Sequence, residues 1–317
     1  MEGYKAFAAT VRGYSHEVKG IVCQDSSFCY EGVNYALATV CDGHGGEKYF
    51  RSDRGSRFAA EEFDQCVFNF ISDAHAWHLV DALANSGGQG YSAVLKEFDT
   101  AFDQLVRNFI FRWRERVCED FKSHPFEDDE MKRVDDASKR AYLDGKHIHS
   151  AYGTTFLGVC MTHGVCFGFQ IGDGDLFGTD ASGAFFRLVE DDPKIKGNMT
   201  TSLCGDSAFS DARKFVRIHA DSGFPVAVFA STDGVMNSFL EESNLHDFYR
   251  QILLEMTQGG DISKELASVL PGLSKDGSRD DVSVAGVVNV GFLKSGTWTF
   301  KQAAVAADES NGSRLNG

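Results

Sequence analysis

Short runs rich in Val, Phe, Tyr and Ala at 4–11, 26–30 and 34–41 are separated by Gly, Asn and Ser, so the chain opens as strands joined by tight turns. From Lys48 the spacing of apolar positions changes. Phe58, Phe63, Val67, Phe70 and Ile71 recur at three- to five-residue steps, and Phe98, Phe102, Leu105, Phe109, Trp113, Val117 and Phe121 at steps of three or four. This spacing predicts two long amphipathic helices. Between them 85–90 (NSGGQG) breaks the pattern as a turn or flexible loop. Charges dominate 127–140, which reads as an exposed helix or connection.

The chain returns to β at 154–160, 165–171, 176–179 and 184–189. The turns at 162–164 and 180–183 are too short for crossover helices, so an antiparallel meander is predicted. A strand at 226–230 leads through Asp233-Gly234 to helices near 241–257 and 262–270, and 282–290 is the last strand. Residues after about 302 read as a frayed tail. No fixed-period repeat and no Pro- or Ser-rich linker divides the chain. The prediction is a single α+β domain over 1–302, antiparallel sheets with helices outside and an enlarged helical region at about 48–145, followed by a tail at 303–317.

Composition narrows the function classes. The 317 residues carry a formal net charge of −15, a surface that repels nucleic-acid backbones and anionic membranes. Thirty-three Gly and only four Pro suit a turn-rich, sheet-containing fold. Nowhere do about 18 uninterrupted apolar residues occur, and 1–13 has neither a long apolar core nor a cleavage-site pattern. A cytoplasmic monomer is the expectation. The eight Cys contain no CxxC pair and several sit inside apolar runs, so reduced thiols are expected, with a disulfide framework or zinc site as the alternative.

The chemistry-bearing signal is that apolar strands run directly into aspartate flanked by glycine: ATVC into Asp42-Gly43-His44-Gly45-Gly46, FQI into Gly172-Asp173-Gly174-Asp175, and VFAST into Asp233-Gly234. Asp280-Asp281 stand just before the strand VSVAGVV. One Asp-Gly pair is an ordinary turn. Four such ends that converge at one sheet rim form a carboxylate cluster, whose members raise each other's pKa unless a cation neutralises them. All-oxygen ligation favours Mg²⁺ or Mn²⁺ over zinc. His44, among glycines, is too exposed in sequence to be a core filler and is a candidate proton donor. Nucleotide and calcium sites fail locally: Gly172, Gly174 and Gly178 miss the dinucleotide spacing, no GxxxxGK occurs, and Asp276, Ser278 and Asp280 lack the Gly and Glu of a calcium loop.

CQD at 23–25, DGHGG at 42–46, YGTTF at 152–156, IGDGD at 171–175, STDGV at 231–235 and RDDVSV at 279–284, in this order, resemble the metal-dependent PPM (type 2C) serine/threonine protein phosphatases over roughly residues 4–290. The resemblance implies a β-sandwich flanked by helices on both outer faces, a four-layer αββα fold, with two Mn²⁺ or Mg²⁺ ions at one end. It implies that Asp42 bridges both ions, Gly43 offers its carbonyl, and Asp233 and Asp280 ligate the first. Asp25 would hold a metal-bound water, Asp173 would help bind a third ion, and His44 would be the general acid. Two cations would acidify a bridging water for in-line attack on phosphorus, so no Cys need be catalytic. The substrate implied is a phosphorylated protein.

Departures from the family pattern are local. Where members usually carry Glu beside the first Asp this chain has Gln24, whose neutral amide can still hold a metal-bound water. Where they place a phosphate-binding Arg it has Gly20. GYSHEVKGIVCQD resembles a divergent bacterial branch with GxSH before the QD pair, which makes His16, Lys19 and Arg12 the candidate phosphate-binding residues, His16 and Lys19 first. Asp175, where a basic residue often sits, either aids a further cation or is solvated. Asp281 is either a strand cap or a ligand. Arg107, Arg112, Arg114 and Arg116 interleave with acids and read as a solvated helix face rather than a docking surface. Gln24 and the missing Arg also keep open a catalytically weak or inactive metal-binding signalling module that binds phosphoproteins.

Overall fold

The computed structural model describes residues 3–86, 91–195, 200–219 and 223–296. Within them ten strands run in chain order: β1 Tyr4–Val11, β2 Ser26–Glu31, β3 Tyr35–Cys41, β4 Phe156–Thr162, β5 Val165–Ile171, β6 Asp175–Thr179, β7 Phe185–Arg187, β8 Arg213–Ile218, β9 Ala227–Ser231 and β10 Val282–Asn289. The helices are α1 Tyr14–Lys19, α2 Ser52–Ser72, α3 Ala74–Ala84, α4 Tyr91–Ser123, α5 Asp128–Met131, α6 Asp136–Leu143, α7 Ala208–Asp211, α8 Asp233–Met236, α9 Glu242–Gln258, α10 Ile262–Asp276 and α11 Val290–Gly296, with 3-10 turns at Glu47–Tyr49 and Ile148–Tyr152.

The strands pair antiparallel in two five-stranded sheets, β1-β10-β9-β6-β7 and β2-β3-β4-β5-β8. Both faces of the central strands are covered, so these strands are apolar throughout, and alternation assigns each side chain to a layer. In β3, Ala36, Ala38 and Val40 face the other sheet while Tyr35, Leu37 and Cys41 face the helices. In β10, Ala285 and Val287 face inward, and Val282, Val284 and Val288 face α9 and α10. One core between the sheets and one beneath the helices on each outer face make three cores and the four-layer αββα order. The largest core lies under α2, α3 and α4, where Phe63, Phe109, Phe156 and Phe169 interlock with ring centres 4.4–6.0 Å apart. No described helix is long and apolar enough to cross a membrane.

Several expectations change. The predicted meander does not form: β5 and β6 lie in different sheets. Gly172 at φ 99° and Gly174 at φ 92° take the chain from one sheet to the other within three residues, a path closed to residues with a Cβ. A third helix, α3, follows α2 after the single residue Asp73, whose side chain caps it through the Ala76 N–H; its Ala76, Leu79, Val80 and Leu83 keep helical spacing into the core. The edge strand β8 was not expected, because its Arg and Lys residues hide the alternation. The 127–140 stretch forms two short helices, α5 and α6. α10 continues through Pro271 to Asp276, keeping Ser274 buried under the site. Of the 85–90 turn, Asn85 caps α3; 87–90 and the 303–317 tail lie outside the described residues. All eight cysteines are free thiols.

Candidate active site

Antiparallel pairing sets the end of one strand beside the start of the next. Cys41 at the end of β3 faces Ser26 at the start of β2; Val282 at the start of β10 faces Val11 at the end of β1, and Val284 faces Ser231 at the end of β9. The segments just outside these ends therefore meet at one rim of the sandwich, where they wall a recess of about 870 Å³. Asp25, Asp42, Asp173, Asp233 and Asp280 all line it. So do His16, Lys19, Gln24, Gly43 and His44. Arg12 does not: the chain turns at Gly13 directly after β1 and leaves Arg12 exposed outside the recess.

Three of the aspartates, Asp42, Asp25 and Asp173, are held by neighbouring threonines. The Asp42 backbone is clamped to the start of β4, its N–H donating to Thr155 Oγ1 (2.9 Å) and its carbonyl accepting from Thr155 N and Thr154 Oγ1 (both 2.8 Å). Asp25 is buried and accepts from Thr232 Oγ1 at 2.8 Å, which binds it to the residue before Asp233. Asp173 Oδ1 accepts from Thr200 Oγ1 at 3.0 Å. Gly43 N donates to Gln24 O at 3.1 Å, joining the two motifs, and the Gln24 side-chain amide donates to Ser52 Oγ at 2.8 Å at the start of α2.

Burial, and then the neighbouring carboxylates, push Asp42 and Asp25 well above the usual carboxylate range, and Asp233 up to about 6. Such a cluster carries protons or requires cations. Its donors are carboxylate, amide and backbone oxygens with no thiol in the wall, a set that fits hard divalent ions. Among the described residues no three His, Cys, Asp or Glu side chains already close on a point, so the carboxylates form an open cradle.

Asp281 acts as a clip between segments. Buried beside the exposed Asp280, it accepts from Gly13 N and Gln24 N, each at 2.6 Å, and pairs with His16 Nδ1 at 3.0 Å. One carboxylate thus ties the start of β10 to both N-terminal segments and orients His16 at the wall. Asp175 is neither solvated nor in the cradle: it is buried at the start of β6 and accepts from Arg187 Nη1 at 2.9 Å.

His44 sits with Nε2 2.7 Å from Ser202 Oγ and its ring edge-on to Tyr49 at 4.9 Å, and its backbone N–H donates to Gly153 O. Any Cβ at Gly153 would lie 2.7 Å from the Tyr49 ring and 2.8 Å from His44 Cδ2, so only glycine allows the two rings to pack here. Burial lowers the imidazole to about 4, against the opposing pull of Asp173 and with Lys48 adding to the depression. Sequence reasoning missed Lys48, Tyr49, Thr200, Ser202 and Arg279. Lys48 and Tyr49 follow DGHGG by two and three residues, and Arg279 precedes the Asp pair, so adjacency to a motif was the usable signal. Thr200 and Ser202 had none, because only folding brings that loop over the recess.

A family model described as Protein phosphatase 2C matches residues 12–271. No curated protein matches the chain. Among solved structures, it is similar to PppA, a key regulatory component of T6SS in Pseudomonas aeruginosa, with 15% identity over 90% of this chain and 97% of that one and a TM-score of 0.54. Serine/threonine phosphatase Stp1 from Staphylococcus aureus matches with 12% identity over 90% and 94%, TM-score 0.51. A bacterial serine phosphatase matches with 14% identity over 89% and 96%, TM-score 0.51. At these identities the likeness is one of fold.

Proposed function

The chain belongs to the protein phosphatase 2C family, and from that premise we propose that it is a divalent-cation-dependent phosphatase acting on phosphoserine and phosphothreonine of proteins. The observation that carries this reading is the meeting of Asp25, Asp42, Asp173, Asp233 and Asp280 with His44 in one recess.

Asp42, Asp233 and Asp280, with the Gly43 carbonyl, would hold the cations; Asp173 would serve a further one, and Asp25 and Gln24 the surrounding water. When bound, Mn²⁺ or Mg²⁺ supplies an acidified water and screens the charge of the phosphoryl oxygens. The basic groups at the wall, His16, Lys19, Lys48 and Arg279, would orient the phosphate; all four line the recess. Asp281 acts on this step by holding His16 Nδ1.

His44 would protonate the departing seryl or threonyl oxygen as the P–O bond breaks. Ser202 at Nε2 and Tyr49 against the ring edge fix the imidazole. A phosphate dianion entering the recess adds negative charge beside the ring, raises its proton affinity and readies the proton for transfer.

The test is hydrolysis of p-nitrophenyl phosphate and a phosphoserine peptide with Mn²⁺ or Mg²⁺, lost in Asp42→Ala. A wild-type protein that binds Mn²⁺ and turns over neither substrate would instead be a phosphoprotein-binding module.

A further inference from the structure

A second recess of about 500 Å³ opens beside the first and shares Lys48 and Tyr49 with it. Its outer wall is α6, through Ala137, Ala141 and Tyr142, and Cys204 also lines it. The shared ridge is held firmly from the catalytic side: the Tyr49 ring meets His44 edge-on, and Lys48 Nζ lies 4.6 Å from the Tyr49 ring centre. The outer wall is held equally well. Asp135 caps α6 through the N–H groups of Ala137 and Ser138, and Tyr142 packs edge-on against Phe126 (5.1 Å) and Phe50 (6.4 Å).

We propose that this second recess is a substrate subsite that takes a large apolar or aromatic side chain one or two residues from the phosphorylated residue, with α6 as the element that sets the preference. The inference rests on the phosphatase reading of the adjoining recess. Reach supports it, because the two recesses share Lys48 and Tyr49 and an extended chain advances about 3.3–3.6 Å per residue, which suits a residue one or two places along. Chemistry supports the occupant. Tyr49, Tyr142, Ala137 and Ala141 offer aromatic and methyl surface, the rings of His147 and His149 add flat faces for an aromatic side chain, and Lys48 and Asp206 are opposite in sign. A small aryl phosphate ends before the ridge, so the subsite bears on peptides only.

The experiment compares three substrates with Mn²⁺: p-nitrophenyl phosphate, a phosphoserine peptide with Phe at the two positions on either side, and the same peptide with Gly there. Wild type is expected to favour the Phe peptide by about tenfold in kcat/KM, the scale of one well-filled apolar pocket. Ala141→Trp and Ala137→Trp, which fill the recess, should abolish that preference and leave turnover of p-nitrophenyl phosphate and the Gly peptide unchanged. Equal kcat/KM for the two peptides in wild type overturns the proposal whatever the variants do, as does a preference that survives in a Trp variant still active on p-nitrophenyl phosphate. A wild type inactive on all three substrates removes the phosphatase reading itself, and the subsite with it.

Discussion

Arg51 and Glu130 form a two-pronged ion pair, Nε to Oε1 and Nη2 to Oε2, both at 2.8 Å, with the Arg51 side chain almost wholly buried. The pair joins the segment that follows the DGHGG turn to α5 of the inserted helical region. The same guanidinium donates to the His124 and Pro125 carbonyls and to Tyr152 Oη, and it lies 4.7 Å from the Phe126 ring centre. Arg51 N–H donates to Ala151 O, two residues before the glycine that accommodates His44 and Tyr49. The insert and the site segment are thereby one packed unit.

Removing Glu130 leaves the buried Arg51 charge only the longer pairing to Asp120, at 3.7 Å. Glu130→Ala is expected to destabilise the fold by about 3 kcal/mol, measured by urea unfolding. Burial alone would push the Glu130 carboxyl up, but the Arg51 hydrogen bonds and charge outweigh it and hold it below its usual value of 4.5. Its stabilisation is therefore full above pH 4.5 and lost as pH falls through the lower folded value. The acid limb of wild-type stability should be steeper than that of Glu130→Gln, and coincident limbs would contradict the pairing.

The recess carboxylates have the opposite sign. Asp233, pushed up to about 6, binds its proton more tightly folded than unfolded, so its contribution is present below its ordinary value near 4 and lost as pH rises through about 6. Asp42 and Asp25 shift in the same direction. Chelator-treated protein should lose thermal stability between pH 4 and pH 7, and Mn²⁺ should raise Tm more at pH 7.5 than at pH 5. A Tm increment independent of pH would separate the cation from this cluster.

Adjacent aspartates should behave differently. Asp280→Ala, at the exposed rim, is expected to weaken the Mn²⁺-dependent Tm shift and turnover with little loss of stability. Asp281→Ala leaves the Gly13 and Gln24 N–H groups without their acceptor, at about 1–3 kcal/mol each. Urea midpoints and Mn²⁺ titration of both variants read the difference.

His44→Ala is expected to keep the Mn²⁺-dependent Tm shift and to slow phosphoserine peptide hydrolysis by about 10²–10⁴, the usual range for a lost general acid. p-Nitrophenolate leaves without protonation, so p-nitrophenyl phosphate turnover should fall far less. Equal losses on both substrates would remove the acid role from His44.

The strands and principal helices were legible because their signals are local: short apolar runs bounded by turn residues, helical spacing from 58 to 121, and Asp-Gly at strand ends. The order of six short motifs added the family, and with it the layer architecture. Sequence by itself could therefore pick out the aspartates and the histidine that the fold brings to one recess. Only the tertiary structure decided that β6 leaves β5's sheet, that Asp281 clips segments 257 and 268 residues away, and that Arg51 reaches Glu130 79 residues on. Those outcomes depend on long-range packing, where a carboxylate's partners are set by which segments the cores bring together and not by its neighbours along the chain. Asp280 and Asp281 share their sequence neighbourhood and both line the recess, yet one is exposed at its rim and the other is buried against Gly13, His16 and Gln24.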